Sequence, residues 1–284
     1  MELTPLRAGK LAATALFPPL LLLACGGGGQ ASQPAATPKP GQSEQAAMPL
    51  PPWASSMKVA IQSPSEGAKI TANQVPLQVS FSGFQPSCDL AGTAPVQGTG
   101  HYHVEIDRSL VDMFCAPSAT ISMQNVKPGT HTITVLPALN DHAEVDQNAT
   151  SVTVDYEPTQ PLSAITAAAP AGTPSIKILS PKAGTMLKGD FDVLVQVSSF
   201  NVSCDLEGKP DVAGYGHWHV NLDSTSGPMM GMMTMLRMSC GNVLHLSTRG
   251  VTPGRHTLIA FLADNQHAPL NPMVADQVAV DVGR

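Results

Sequence analysis

The chain is 284 residues long with a formal net charge of −6, and only 13 % of its residues are charged. Its Lys and Arg are scattered and few aromatics accompany them, which excludes the basic, stacking surface that nucleic-acid binding requires. Four of its five cysteines fall into two similarly spaced pairs, which points to an oxidising compartment and a disulfide framework.

At the amino terminus, Arg7 and Lys10 precede an apolar stretch from Leu11 to Ala24 that Pro18 and Pro19 interrupt. It is too short and too broken to span a membrane and has the grammar of an export signal. The segment ends Leu22-Leu23-Ala24-Cys25, which resembles the lipobox of bacterial lipoproteins. That resemblance implies that residues 1–24 are removed and that Cys25 carries the lipid anchoring the chain to a membrane. Gly26 follows the cysteine where an Asp would direct inner-membrane retention, so the resemblance favours the outer membrane of the cell envelope. Residues 25–55, rich in Gly, Gln, Ala, Pro and Ser, read as a flexible tether.

The remainder says nearly the same thing twice. Cys88-Asp89-Leu90, Gly100-His101-Tyr102-His103-Val104-Glu105-Ile106-Asp107, Cys115, Pro128-Gly129-Thr130-His131-Thr132 and His142 form the first statement. The second is Cys204-Asp205-Leu206, Gly216-His217-Trp218-His219-Val220-Asn221-Leu222-Asp223, Cys240, Pro253-Gly254-Arg255-His256-Thr257 and His267. The offset is 116 residues through Asp223 and 125 from Cys240 onward, so the second copy carries nine extra residues between these points. Residues 56–157 and 175–284 are therefore one duplicated module, joined by a Pro/Ala-rich linker at 158–174.

Within each module the hydrophobic period is two. Strands are expected at Lys58–Gln62, Leu77–Phe81, His101–Asp107, Thr120–Gln124, His131–Leu136 and Ser151–Asp155. In the second copy they are expected at Ile176–Leu179, Asp192–Val197, His217–Asp223, Val243–Leu246, His256–Leu262 and Gln277–Val282. Ser-Pro and Pro-Gly turn signals fall between them, so the fold class is all-β, two tandem immunoglobulin-like β-sandwiches. Each cysteine pair predicts a disulfide, Cys88–Cys115 and Cys204–Cys240.

Alternate residues of a strand share a face. His101, His103, Glu105 and Asp107 therefore point away from Tyr102, Val104 and Ile106. His217 and His219 point away from Trp218, Val220 and Leu222. With the aromatic face in the core, the imidazoles are placed on the outer face or rim of the sheet. If the His-x-His strand pairs antiparallel with the strand starting at His131, His142 comes close to His101 and His103, and His267 to His217 and His219. Three converging imidazoles per module suit copper or zinc, with Asp141 or Glu105 completing or orienting the first set. His131 and His256 begin the partner strand at the opposite end and are read as structural. The nine-residue insertion lies in Ser224–Ser239. That segment contains Met229, Met230, Met232, Met233, Met235 and Met238, soft donors that favour copper(I) but also adaptable core fillers.

The string Gly-His-x-His-Val-x-x-Asp, followed by Pro-Gly-x-His-Thr and a later His, resembles an uncharacterised bacterial exported domain. That family carries Gly-His-His-His-Leu-Leu-Ile-Asp and Pro-Gly-x-His-Thr-Leu. The resemblance implies a small β-sandwich and no particular activity, and the chain departs from it at Tyr102 and Trp218. A looser likeness is to Cu/Zn superoxide dismutase, although the further histidines of a bridged two-metal site are not recognisable. No nucleophile elbow, paired-carboxylate motif or phosphate loop appears, so the chain is read as a non-enzyme. Two functions remain: a tethered metal-binding protein, copper favoured, or a tethered immunoglobulin-like module with structural histidines that engages an envelope protein or glycan.

Overall fold

The computed structural model describes residues 49–168, 171–226 and 228–284, with the side chains of residues 228–230 outside that description. The expected export signal, Cys25 and most of the tether lie outside the described residues. The tether ends earlier than its composition implies. Pro52–Ser56 forms a 3-10 turn whose Ala54 packs with Met57, Phe84, Leu139 and Val145. Leu50, Trp53, Ala54 and Met57, scattered among prolines and serines, form no periodicity from which to expect that docking.

Each copy is a two-sheet β-sandwich. In the first, Lys58–Ser63, Gln74–Ser82 and Ser118–Ser122 form a three-stranded sheet. The facing sheet runs Ala68–Ile70, Thr150–Tyr156, Gly129–Ala138, Thr99–Ile106 and Gln85–Pro86, with Ser109–Phe114 also paired to Thr99–Ile106. The second copy repeats this order around its His-x-His strand, Tyr215–Leu222. Alternation builds both cores: Tyr102, Val104 and Ile106 are buried with Val75, Leu77, Ile121 and Ile133. Trp218 and Val220 occupy the same role among Val193, Val195, Leu258 and Ala260. Each large apolar side chain so buried contributes about 1.5–3 kcal/mol.

The aromatic residue inside each His-x-His motif has a polar tip that the core must satisfy. Tyr102 Oη donates to Ala116 O at 2.9 Å, and Trp218 Nε1 donates to Gly241 O at 2.7 Å. Both acceptors directly follow the second cysteine of their disulfide. Cys88–Cys115 and Cys204–Cys240 are both formed, each with Cα atoms 5.6 Å apart. The glycine opening each motif has a steric cause. A Cβ on Gly100 would lie 2.4 Å from Ala138 O, and one on Gly216 2.0 Å from Ala263 O.

Besides four short pieces of two or three residues, Ala68–Ile70, Gln85–Pro86, Met186–Leu187 and Asn201–Val202, two longer strands were not expected, Ser109–Phe114 and Met235–Ser239. Asp112 and Arg237 interrupt their apolar pattern, and a β-bulge in each pairing shifts the register. The Met-rich segment read as a loop is therefore a 3-10 turn, Pro228–Thr234, followed by a strand. These same two strands carry the contact between the copies. The described residues belong to one compact unit. Within it, a Cβ on Gly92 would lie 2.7 Å from Met235 O, and one on Gly208 would lie 2.7 Å from Leu110 O. Leu110 pairs with Glu105 and Met235 with Asn221, so the two carbonyls occupy equivalent positions. The copies thus meet through a reciprocal, pseudo-two-fold contact, as in an isologous dimer.

Candidate metal centres

The His-x-His strand pairs antiparallel with the Gly129–Ala138 strand, His101 opposite Ala138 and Ile106 opposite Ile133. The chain then turns at Asn140–His142, and His142 takes a left-handed backbone with φ of 65°. His267 does the same, with φ of 67°, after the Gly254–Ala263 strand. A non-glycine residue pays to adopt that conformation, and such residues concentrate where geometry is constrained for function.

Both turns aim an imidazole at the His-x-His pair. His101 Nε2 lies 3.1 Å from His103 Nε2 and 3.1 Å from His142 Nδ1, and the latter two nitrogens are 3.4 Å apart. In the second copy His217 Nε2 lies 2.8 Å from His219 Nε2 and 3.0 Å from His267 Nδ1. In a tetrahedral site with metal–nitrogen bonds near 2.05 Å, ligand nitrogens stand about 3.3 Å apart. Both sets have the spacing that would supply three of the four ligands of such an ion.

The hydrogen bonds around the rings settle which nitrogens carry lone pairs. His142 Nε2 donates to Met235 O at 2.7 Å, and His267 Nε2 donates to Leu110 O at 2.9 Å, each across to the other copy. A carbonyl can only accept, so in the neutral ring Nδ1 is bare and points into the triad. His103 Nδ1 bonds Glu144 Oε1 at 2.6 Å, so in the neutral tautomer that bond selects, Nε2 is the bare nitrogen. His101 Nδ1 and His217 Nδ1 are buried without a protein partner, so those rings are free to take either tautomer. Two bare lone pairs 3.4 Å apart repel, and a proton on His101 Nε2 or a cation between them relieves that.

The imidazoles do not sit on an open rim. His101, His103, His142, His217, His219 and His267 are all at most 3 % exposed. His142 and His267 each bond across to the other copy, a contact to which one-copy periodicity is blind. Burial drives His142 down to about 3, with His103 adding to the effect and the bond to Met235 O opposing it. Burial likewise drives His267 to about 4, opposed by the bond to Leu110 O. His101, His217 and His219 are held well below the usual histidine range by burial and by their neighbouring imidazoles. These rings are neutral at neutral pH and offer lone pairs without first losing a proton.

Neither Asp141 nor Glu105 takes the orienting role expected of one of them. Asp141 Oδ1 accepts from Ala143 N, and Glu144 is the carboxylate on His103. Glu144 lies two residues past His142, where the chain bridges back to Ala138, and only tertiary pairing reveals it. Pro269 occupies the corresponding bridge in the second copy, so that triad lacks a carboxylate there. His131 and His256 sit at the far end: His131 bonds Asp107 Oδ2 and Lys127 O, and His256 bonds Asp223 Oδ2 and Thr252 O. Of the Met-rich segment, Met232 and Met235 are buried with Met113, Met238 and Ala91, whereas Met233 is half-buried outside that cluster. The side chains of Met229 and Met230 lie outside the described residues. Cys204, Glu207 and Cys240 also lie close together, but both sulfurs are committed to the disulfide.

No family model and no curated protein matches the chain. Among solved structures it is similar to fibronectin(III)-like modules of Clostridium thermocellum CbhA. That match has 14 % identity over 79 % of this chain and 93 % of that one, with a TM-score of 0.25. It is also similar to the two tandem V-type regions of VCBP3, a v-region-containing chitin binding protein. Here the identity is 10 % over 81 % of this chain and 100 % of that one, with a TM-score of 0.20. At such low scores the sandwich assignment rests on the sheets themselves.

Proposed function

We propose that the protein is a cell-envelope lipoprotein, anchored to the outer membrane through Cys25, that binds one metal ion per copy, copper favoured over zinc. His101, His103 and His142 hold one ion, and His217, His219 and His267 the other. One observation carries this reading: the bonds of His142 to Met235 O and of His103 to Glu144 leave two lone pairs facing one point. Orienting a ligand imidazole through its second nitrogen is how metal sites are built. The anchor is supported by the Leu22-Leu23-Ala24-Cys25 string.

The competing reading is a non-catalytic immunoglobulin-like module with structural histidines and an envelope protein or glycan as partner. The backbone bonds from His142 and His267 across to the other copy favour it, because they tie the copies together without any ion. Metal analysis of the purified chain, prepared without a histidine tag, separates the two. The metal-binding reading requires two ions per chain after desalting, one lost with His101→Ala/His103→Ala and the other with His217→Ala/His219→Ala. Unaltered metal content alongside lowered stability in His103→Ala establishes the structural reading instead.

A further inference from the structure

The strand that lies against each His-x-His strand has diverged almost completely between the copies. Leu110-Val111-Asp112-Met113-Phe114-Cys115 faces one motif, and Met235-Leu236-Arg237-Met238-Ser239-Cys240 faces the other. Apart from the disulfide cysteine, the methionine is the one residue the two strands share. Met113 stands directly opposite His103, and Met238 directly opposite His219. Directly opposite residues of an antiparallel pair project on the same face, with Cβ atoms about 4.5–5.5 Å apart. Each methionine is therefore on the same face of the sheet as the second imidazole of its motif, its neighbour across the strand pair. Both are buried, and both belong to one cluster with Met232, Met235 and Ala91. Met113 also lines an open groove of about 710 Å³ together with Cys88, Asp112 and Arg237.

We propose that Met113 and Met238 supply the fourth ligand of the two centres, making each a three-imidazole, one-thioether site selective for copper(I). This rests on the reading of the histidines as ligands. Thioether sulfur is a soft donor that favours copper(I), whereas zinc(II) and copper(II) are served by the imidazoles alone. A buried core needs a filler of methionine's size but does not need one opposite the same histidine in both copies, in strands otherwise dissimilar. Binding involves no electron transfer: the ion enters as copper(I) and stays so.

The test loads the full chain anaerobically with copper(I) against a competing chelator, and separately with zinc(II). The Met113→Leu/Met238→Leu variant, close in volume, is compared with Met232→Leu from the same cluster. The expected result is sulfur scattering in the copper X-ray absorption spectrum. Copper(I) affinity should fall tenfold or more in the double variant alone, with zinc(II) affinity unchanged, which also shows that the variant is folded. Copper(I) bound through nitrogen only, with the same affinity in the double variant, overturns the thioether assignment and leaves the histidine sites standing. Failure of the unaltered chain to bind either ion overturns both.

Discussion

Replacing Glu144 by Gln isolates what orients one ligand, because the second copy lacks the carboxylate and serves as an internal control. Glu144 Oε1 holds His103 Nδ1 at 2.6 Å, and Pro269 stands at the matching position of the second copy. Losing a carboxylate behind a ligating imidazole typically costs 10–100-fold in metal affinity, about 1.4–2.7 kcal/mol. The Glu144 side chain is 26 % exposed, so water screens part of its effect and the loss should lie near tenfold. In the unaltered protein the first centre should therefore bind more tightly than the second, giving two resolvable steps. The assay is competitive titration with each centre read alone, the other being silenced by replacing its His-x-His pair with Ala. Glu144→Gln should weaken the first centre to about the level of the second and leave the second unchanged. An unaltered first centre, or equal losses at both, refutes the assignment of Glu144.

Gly92→Val should open the contact between the copies. Its Cβ would meet Met235 O at 2.7 Å on a backbone with φ of +74°, costing about 1–3 kcal/mol in overpacking and about 1–2 in backbone strain. Hydrogen exchange should then rise at Met235–Ser239, and protection unchanged there would count against the contact. For His256, burial lowers the pKa, but the bonds to Asp223 and Thr252 O outweigh it and the net shift is upward. A raised histidine pKa adds stability that is fully present below its unfolded value of about 6.5 and is lost as pH rises through the folded value. The penalty of Asp223→Asn in thermal melts should therefore shrink between pH 5.5 and pH 8.5, about one unit below and two above that value; a constant penalty would show that the bond is not proton-linked. Reducing the disulfides, which close separations of 27 and 36 residues, should cost about 3–4 kcal/mol each, read by denaturant unfolding with and without reductant.

Most of the sandwich was legible in one dimension, since alternation of Tyr102, Val104 and Ile106 with His101, His103 and Glu105 is a local property of an extended chain. The duplication sharpened this by repeating each pattern: the glycine before each motif, the aromatic within it and the cysteine pair all recur because each copy meets the same steric and hydrogen-bonding demands. That His142 and His267 approach the motifs also followed from strand order alone. Three things were decided only in three dimensions. Glu144 reaches His103 through a bridge to Ala138, a pairing between residues that share no local pattern. The Ser109–Phe114 and Met235–Ser239 strands were hidden because Asp112 and Arg237 break their apolar rhythm where the sheet edge meets the other copy. The two copies close on each other at these buried histidines, His142 bonding Met235 O and His267 bonding Leu110 O. A sequence read one copy at a time places polar residues on an outer face, and whether water or a second sandwich covers that face depends on contacts distant along the chain.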